Sequence, residues 1–216
     1  MTLPTHTFGS SAHLMQRTFS RRDLIPLEPD TLWKITWGAV RTLTWSEEGT
    51  PTTLGYWGSG DVVGQPLSVI QPYQIECLTS VEVSYIPIHQ SHQALDAIFL
   101  HIQQVEELLS IVRNERIQCR LQQLLTWLAR KFGRQVNSGQ LIDLQLTHQA
   151  IAEAVGTTRV TVTRLLNRFE QEGVISRPKR HFIVLRHGRW GFAKPNSAPA
   201  ANSIKPCLSE RVGSRE

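Results

Sequence analysis

No uninterrupted apolar run in this sequence approaches the roughly 18 residues of a membrane span, and the start, "MTLPTHTFGSSAHLMQ", lacks the apolar centre of a signal peptide. Both absences point to a cytoplasmic protein. Cysteine is scarce: Cys77, Cys119 and Cys207 stand far apart, without the paired spacing that zinc or an iron-sulfur cluster requires. They read as buried or incidental thiols, and no metal site is expected. A phosphate-binding glycine loop, paired catalytic carboxylates and a nucleophile motif are also missing, so the expectation is a protein that is not an enzyme and carries no cofactor.

What the chain does have is sorted along its length. Hydrophobic residues make up 40% of it, enough for one large core or two small ones. Residues 1–146 hold 11 Lys/Arg against 13 Asp/Glu, a net of −2, whereas residues 147–216 hold 12 against 5, a net of +7; together they make the chain's +5. A basic C-terminal part suggests a polyanion partner, although six of its basic residues follow Leu185 and belong as well to a solubilising tail.

From Thr31 to about Pro87 the apolar residues alternate, as in "TLWKITWGAVRTLTW", then break at the turn "SEEGTP" and resume in "TTLGYWGSGDVVG". Period-two patterning with frequent Gly predicts a strand-rich domain built from hairpins. Beyond His89 the period changes. Ile98, Ile102, Val105, Leu109 and Val112 are spaced 4, 3, 4, 3, an a/d seam that implies a partner helix. Packing on the chain's own strand domain is the competing use, because Leu95, Leu108 and Ile111 supply a second stripe beside the first. A further helix carries Ile117, Leu121, Leu124, Leu125, Leu128 and Phe132 on one face; "FGRQVNSGQ" is expected to end it in a Gly-rich loop, and "LIDLQL" to form a short strand.

The stretch "LTHQAIAEAVGTTRVTVTRLLNRFEQEGVI" is helical in pattern on both sides of Gly156. One helix would not tolerate "GTT" cheaply, since an interior Gly costs about 1 kcal/mol relative to Ala. Two helices joined by a tight turn need it. Thr147 is placed to cap the first; Ile151, Ala152 and Val155 face inward before the turn, and Val162, Leu165, Leu166 and Phe169 after it. Arg159, Val160, Thr163, Arg164 and Asn167 then form the outward stripe of the second helix, with Thr158 and Thr161 at its start and Gln149 beside Thr147. Arginines on such a helix can bond guanine in the major groove while threonine hydroxyls and helix-end N–H groups meet phosphates. Two arginines alone fit simple solvation equally well; the Ala, Gly and Val positions together with the hairpin "SRPKRH" favour DNA. Lys179 and Arg180 at the tip of that hairpin are placed to touch phosphate. From about His187 the chain loses periodicity and reads as a flexible basic tail.

With "RLQQLLTWLARKFG" ahead of it and "RPKRHFIVL" behind, this stretch resembles the DNA-binding end of the CRP/FNR family, and most closely its cyanobacterial nitrogen-control (NtcA) group. Ile35, Gly38, Val40, Arg41, Gly49, Leu54, Gly55, Gly60, Asp61 and Gly64 are similar to that family's β-roll pattern. The resemblance implies an α+β protein with an N-terminal, cyclic-nucleotide-binding-like β-roll over residues 1–90, a long dimerisation helix over 91–116, a winged helix-turn-helix over 117–186 and a tail over 187–216. It implies a homodimeric transcription regulator that binds double-stranded DNA and works with RNA polymerase. Many CRP-type members carry Glu where Val160 stands; sharing "TRVTVTRLL" with the NtcA group implies a GTA…TAC inverted repeat, with Arg159 or Arg164 on the guanine and Val160 near the adjacent thymine.

The sensor half departs from the cyclic-nucleotide pattern. Gln65 stands near the position of the ribose-binding Glu, and no Arg occurs between Arg41 and Arg113 to meet a phosphate, which argues against cyclic AMP in the usual mode. The few cysteines argue against an iron-sulfur sensor, and His89 and His92 are surface histidines in pattern rather than haem ligands. 2-Oxoglutarate, the ligand of the NtcA group, stays open: Arg113 and Arg116 offer cations on the helix side but the roll offers none after Gly64. The effector is therefore unassigned, and a ligand-responsive switch or a non-specific architectural DNA binder remains the alternative.

Overall fold

The computed structural model describes residues 16–178 and 182–186. Seven strands, β1 (Gln16–Phe19), β2 (Thr31–Trp37), β3 (Ala39–Trp45), β4 (Pro51–Gly58), β5 (Val62–Val63), β6 (Gln74–Cys77) and β7 (Val81–Pro87), form two antiparallel sheets in the orders β1-β7-β2-β5 and β4-β3-β6. Alternation decides which side faces in: Val81 and Val83 are buried while Glu82 between them is exposed. The turn joining β3 to β4 closes with the Gly49 N–H donating to the Ser46 carbonyl at 2.9 Å, with Gly49 at φ +78. Trp33, Ile35, Val40, Trp57, Ile75 and Val83 meet between the sheets. The indoles of both tryptophans find acceptors, Trp33 on the Pro26 carbonyl at 3.0 Å and Trp57 on Thr42 Oγ1 at 3.1 Å, so the rings are buried without stranding their N–H groups.

A short 3-10 segment over Ile88–Ala94 leads into α1 (Leu95–Val112). The helix stops because Asn114 turns its side-chain oxygen onto the Arg116 N–H at 3.1 Å, a local bond that competes with the helical one. Helix α2 (Ile117–Phe132) then buries the face expected of it, Leu121, Leu124, Leu125 and Leu128 being fully enclosed.

Two expectations require correction at the end of α2. The segment read as a Gly-rich loop is a hairpin, β8 (Gly133–Val136) and β9 (Gly139–Ile142), and the strand placed at "LIDLQL" ends at Ile142. A Cβ on Gly139 would lie 1.9 Å from the Leu185 carbonyl oxygen, so glycine there admits a close strand pass and does not mark a loop. Past Ile142 the backbone leaves the ladder, the Asp143 N–H donating to the Phe132 carbonyl at 2.9 Å, although Leu144 and Leu146 stay buried. Helices α3 (His148–Val155) and α4 (Arg159–Gln171) follow, then β10 (Ile175–Ser176) and β11 (Ile183–Arg186), which join the hairpin in a sheet of order β10-β11-β9-β8.

The architecture is thus α+β: a β-roll, a long helix and a winged helix-turn-helix. One apolar cluster runs from Tyr56 of the roll through Leu108 and Ile111 of α1 to Leu125, Ile151 and Val162. Among the described residues, no helix is long and apolar enough to cross a membrane.

Candidate nucleic-acid interface

Thr147 caps α3, its Oγ1 accepting from the Ala150 N–H at 3.0 Å, and Gly156 ends it in the left-handed region at φ +67. A Cβ there would meet only the Arg120 guanidinium, at 3.8 Å, so the turn needs glycine for its backbone angle and not for space. Two residues later Thr158 caps α4, its Oγ1 accepting from the Thr161 N–H at 3.2 Å. Ile151, Ala152 and Val155 before the turn, with Val162, Leu166 and Phe169 after it, are buried as the pattern required.

On the outward face of α4, Arg159, Val160 and Arg164 are exposed, Val160 at 77%. They line one open groove with Thr163 and Asn167. Gln149 and Thr147 are exposed at the start of α3. The hydroxyls also bond within the protein: those of Thr147 and Thr158 accept as caps, Thr161 Oγ1 lies 3.0 Å from that of Thr158, and Thr163 Oγ1 donates to the Arg159 carbonyl at 2.9 Å. Lys179 and Arg180, expected at the wing tip, lie outside the described residues.

Pattern reading missed Arg177. Its backbone N–H and its guanidinium both bond Glu170, at 3.2 Å to Oε1 and 3.0 Å to Oε2, and Nη2 donates to Asn167 Oδ1 at 2.7 Å. The hydrogen bond from Arg177 holds the Glu170 carboxyl below its usual range. The root of the wing is therefore tied to the last turns of α4. An acid near the end of the helix and a base after the following turn was the only available signal.

The two stripes of α1 separate as follows. Ala97, His101, Leu108 and Ile111 are buried within the chain, whereas Ile102, Val105 and Leu109 of the heptad seam are exposed at 50, 40 and 56%. Ile98 and Val112, at the ends of the seam, are partly covered by the clusters they flank. Leu95 does not belong to the inward stripe; it is 48% exposed, because the buried arc at this level is filled by Ala94 and Ala97. Phe99, exposed at 57%, extends the apolar surface and was not anticipated.

In the roll, charges are tied inward. Arg41 donates to Glu76 at 2.7 Å and, across to α3, to Glu153 at 2.8 Å. Burial alone would lower the Arg41 pKa, but the hydrogen bond and charge of Glu76, with Glu153, raise it. Asp61 accepts from the Gly58 N–H at 2.7 Å, from Gln104 of α1 at 2.8 Å and from Lys131 of α2 at 2.5 Å. Burial lowers the Lys131 pKa against the pull of Asp61. His101 stacks on Trp57 at 3.9 Å, its Nδ1 3.1 Å from the Val62 carbonyl, and burial lowers its pKa below 6.5. Gln65 starts a short 3-10 turn and donates to the Ser68 carbonyl at 3.1 Å. Arg113 and Arg116, weighed as ligand-binding cations on the long helix, lie instead in the break after it, exposed. His89 and His92 are exposed on the segment before α1.

A family model for the Crp-like helix-turn-helix domain matches residues 119–189. The chain is 46% identical over 169 residues to the regulatory protein CysR of Synechococcus elongatus, covering 76% of this chain and 81% of that one. It is 34% identical over 187 residues to the global nitrogen regulator of Synechocystis sp., covering 77% and 83%. In fold it is similar to the crystal structure of a CRP-family transcriptional regulator from Thermus thermophilus, with a TM-score of 0.69 at 22% identity over 79% of this chain and 91% of that one.

Proposed function

The chain belongs to the CRP/FNR family of DNA-binding transcription regulators, and on that premise we propose that it is a homodimer that reads an inverted repeat of the form GTA…TAC. The observation that carries the reading is the outward face of α4, where a fully presented Val160 stands between exposed Arg159 and Arg164. Ile98, Ile102, Val105, Leu109 and Val112 form the seam between protomers, and the twofold axis sets the two α4 helices about one DNA turn apart, roughly 34 to 36 Å. Residues 1–90 act as the sensor-like roll, 91–116 as the dimerisation segment, 117–186 as the reader and 187–216 as the tail.

Within each half-site Arg159 or Arg164 bonds guanine O6 and N7, and Val160 packs on the methyl of the neighbouring thymine. The ends of α3 and α4, with Thr147, Gln149, Thr158 and Thr161, face backbone phosphates, and Lys179 and Arg180 add phosphate contacts from the wing. A glutamate in place of Val160 would accept from cytosine N4 instead. Val160→Glu is therefore expected to lower affinity for GTA…TAC duplexes and raise it relatively for TGTGA…TCACA, with little change in thermal stability. Competition binding at fixed salt checks this; a wild type that prefers TGTGA…TCACA, or a variant indifferent between the two, would show the assignment of Val160 to be wrong.

A further inference from the structure

We infer that Thr163 reads DNA through its methyl group and not its hydroxyl, forming with Val160 a two-methyl apolar patch between Arg159 and Arg164 that selects neighbouring thymines, and that His148 is the positioning residue that holds it so. The inference rests on the reading of α4 as the base-contacting helix.

A threonine hydroxyl has one proton. That of Thr163 is donated to the Arg159 carbonyl at 2.9 Å, and the same oxygen lies 2.8 Å from His148 Nδ1. Whichever way the bond between Thr163 Oγ1 and His148 Nδ1 runs, the single hydroxyl proton stays within the protein. The hydroxyl then has nothing left to donate to thymine O4 or to guanine O6 and N7, the acceptors of the major groove. Both bonds lead into the protein, to the backbone of α4 and to the start of α3. Thr163 lines the groove beside Val160 and Arg164, and with its hydroxyl held by the α4 backbone and His148, Cγ2 is the substituent assigned to that groove.

Val160 and Thr163 are three apart on one helix and so lie side by side on its surface. Asn167, next along the same face, accepts from Arg177 at 2.7 Å through its carbonyl oxygen, which competes with the two-point pairing an asparagine makes with adenine. What remains for base reading along the centre of this face is two guanidinium groups and two methyl-bearing side chains. Guanine with adjacent 5-methyl pyrimidines is the surface that fits.

The test uses full-length protein and the duplex it enriches most from random DNA. Each thymine is replaced in turn by deoxyuridine, which removes only the methyl, and binding is followed by competition anisotropy. Losing one packed methyl is expected to weaken wild-type binding roughly fourfold at each of two neighbouring thymines per half-site. Val160→Ala should abolish the effect at one of them and Thr163→Ser at the other. Thr163→Val, which discards the hydroxyl and keeps a methyl, should retain it. His148→Ala should reduce discrimination in the native background and have no effect on it in Thr163→Val, a coupling that a merely structural histidine would not produce; melting curves confirm that each variant folds. Thr163→Val behaving like Thr163→Ser, or wild type binding thymine and deoxyuridine duplexes equally while still preferring its enriched site over random DNA, would overturn this inference alone. Failure of wild type to enrich any sequence would remove the reading of α4 on which it rests.

Discussion

In the roll, half-buried Arg41 and buried Asp61 are bound to residues of the C-terminal half, whereas on α4 Arg159 and Arg164 stand in solvent. A buried charge survives desolvation only if paired, so those of the roll are spent on holding the roll to α2 and α3. The acids of the reader are spent as well: Glu153 pairs with Arg41, Glu170 with Arg177 and Glu172 with Arg168. These pairs leave out Arg159 and Arg164, and so positive charge is left on the outward face of α4 proposed to meet DNA. The charge count of a segment is thus a poor measure of what it offers a partner until internal pairs are subtracted.

The sharpest way to break this contrast is Asp61→Ala, which takes the carboxylate from the half-buried Lys131 ammonium and leaves it Gln104 Oε1 as partner. A loss of about 3 kcal/mol, the low end for a broken buried pair, is expected by chemical denaturation, against a small effect for Arg159→Ala. Next in size, Ile102→Asp with Leu109→Asp should give monomers by sedimentation whose affinity for an inverted repeat falls on the order of a hundredfold, because the second half-site no longer binds in the same complex. A variant that stays dimeric would remove α1 as the seam.

Arg164→Ala should cost about 1 to 3 kcal/mol on the preferred duplex and relax selection at one base, whereas Lys179→Ala should weaken all sequences alike and reduce the salt slope by about one. Equal losses on specific and random DNA for both would move Arg164 to the backbone. The smallest effect concerns His101. Its folded pKa lies below 6.5, so as pH falls through 6.5 the unfolded chain takes up a proton that the fold refuses, and stability drops. His101→Gln should flatten the fall of thermal stability between pH 6.5 and 5 relative to wild type; parallel curves would mean that His101 protonates in the fold at no cost.

The reader was legible because its signals are local. A cap, a glycine at positive φ and apolar residues three and four apart state where two helices begin, end and face, and each agrees with the next. The exposed apolar stripe of Ile102, Val105 and Leu109 on α1 was legible for the same reason. Hairpin β8–β9 was not, since its glycines signal a loop until the Leu185 carbonyl passes 1.9 Å from where a Cβ on Gly139 would be. Arg41 and Glu153, which are 112 residues apart, leave no periodic trace, and neither do Asp61 and Lys131. Even Thr163, correctly placed on the outward stripe, could not be assigned its bonding from spacing, because the ring that engages its hydroxyl comes from another helix.

By itself the sequence determined the strand-rich first half and the helices after it, the turn at Gly156, the inward and outward faces of α3 and α4, and the exposed stripe of α1, all of which depend on neighbours within a turn or a strand pair. Only the tertiary structure decided which charges are spent internally, which stripe of α1 the chain covers for itself, and which atoms of the threonines remain to meet a partner. These depend on groups brought together from distant positions, where burial sets the cost of leaving a charge or a proton unpaired and no local pattern records who answers it.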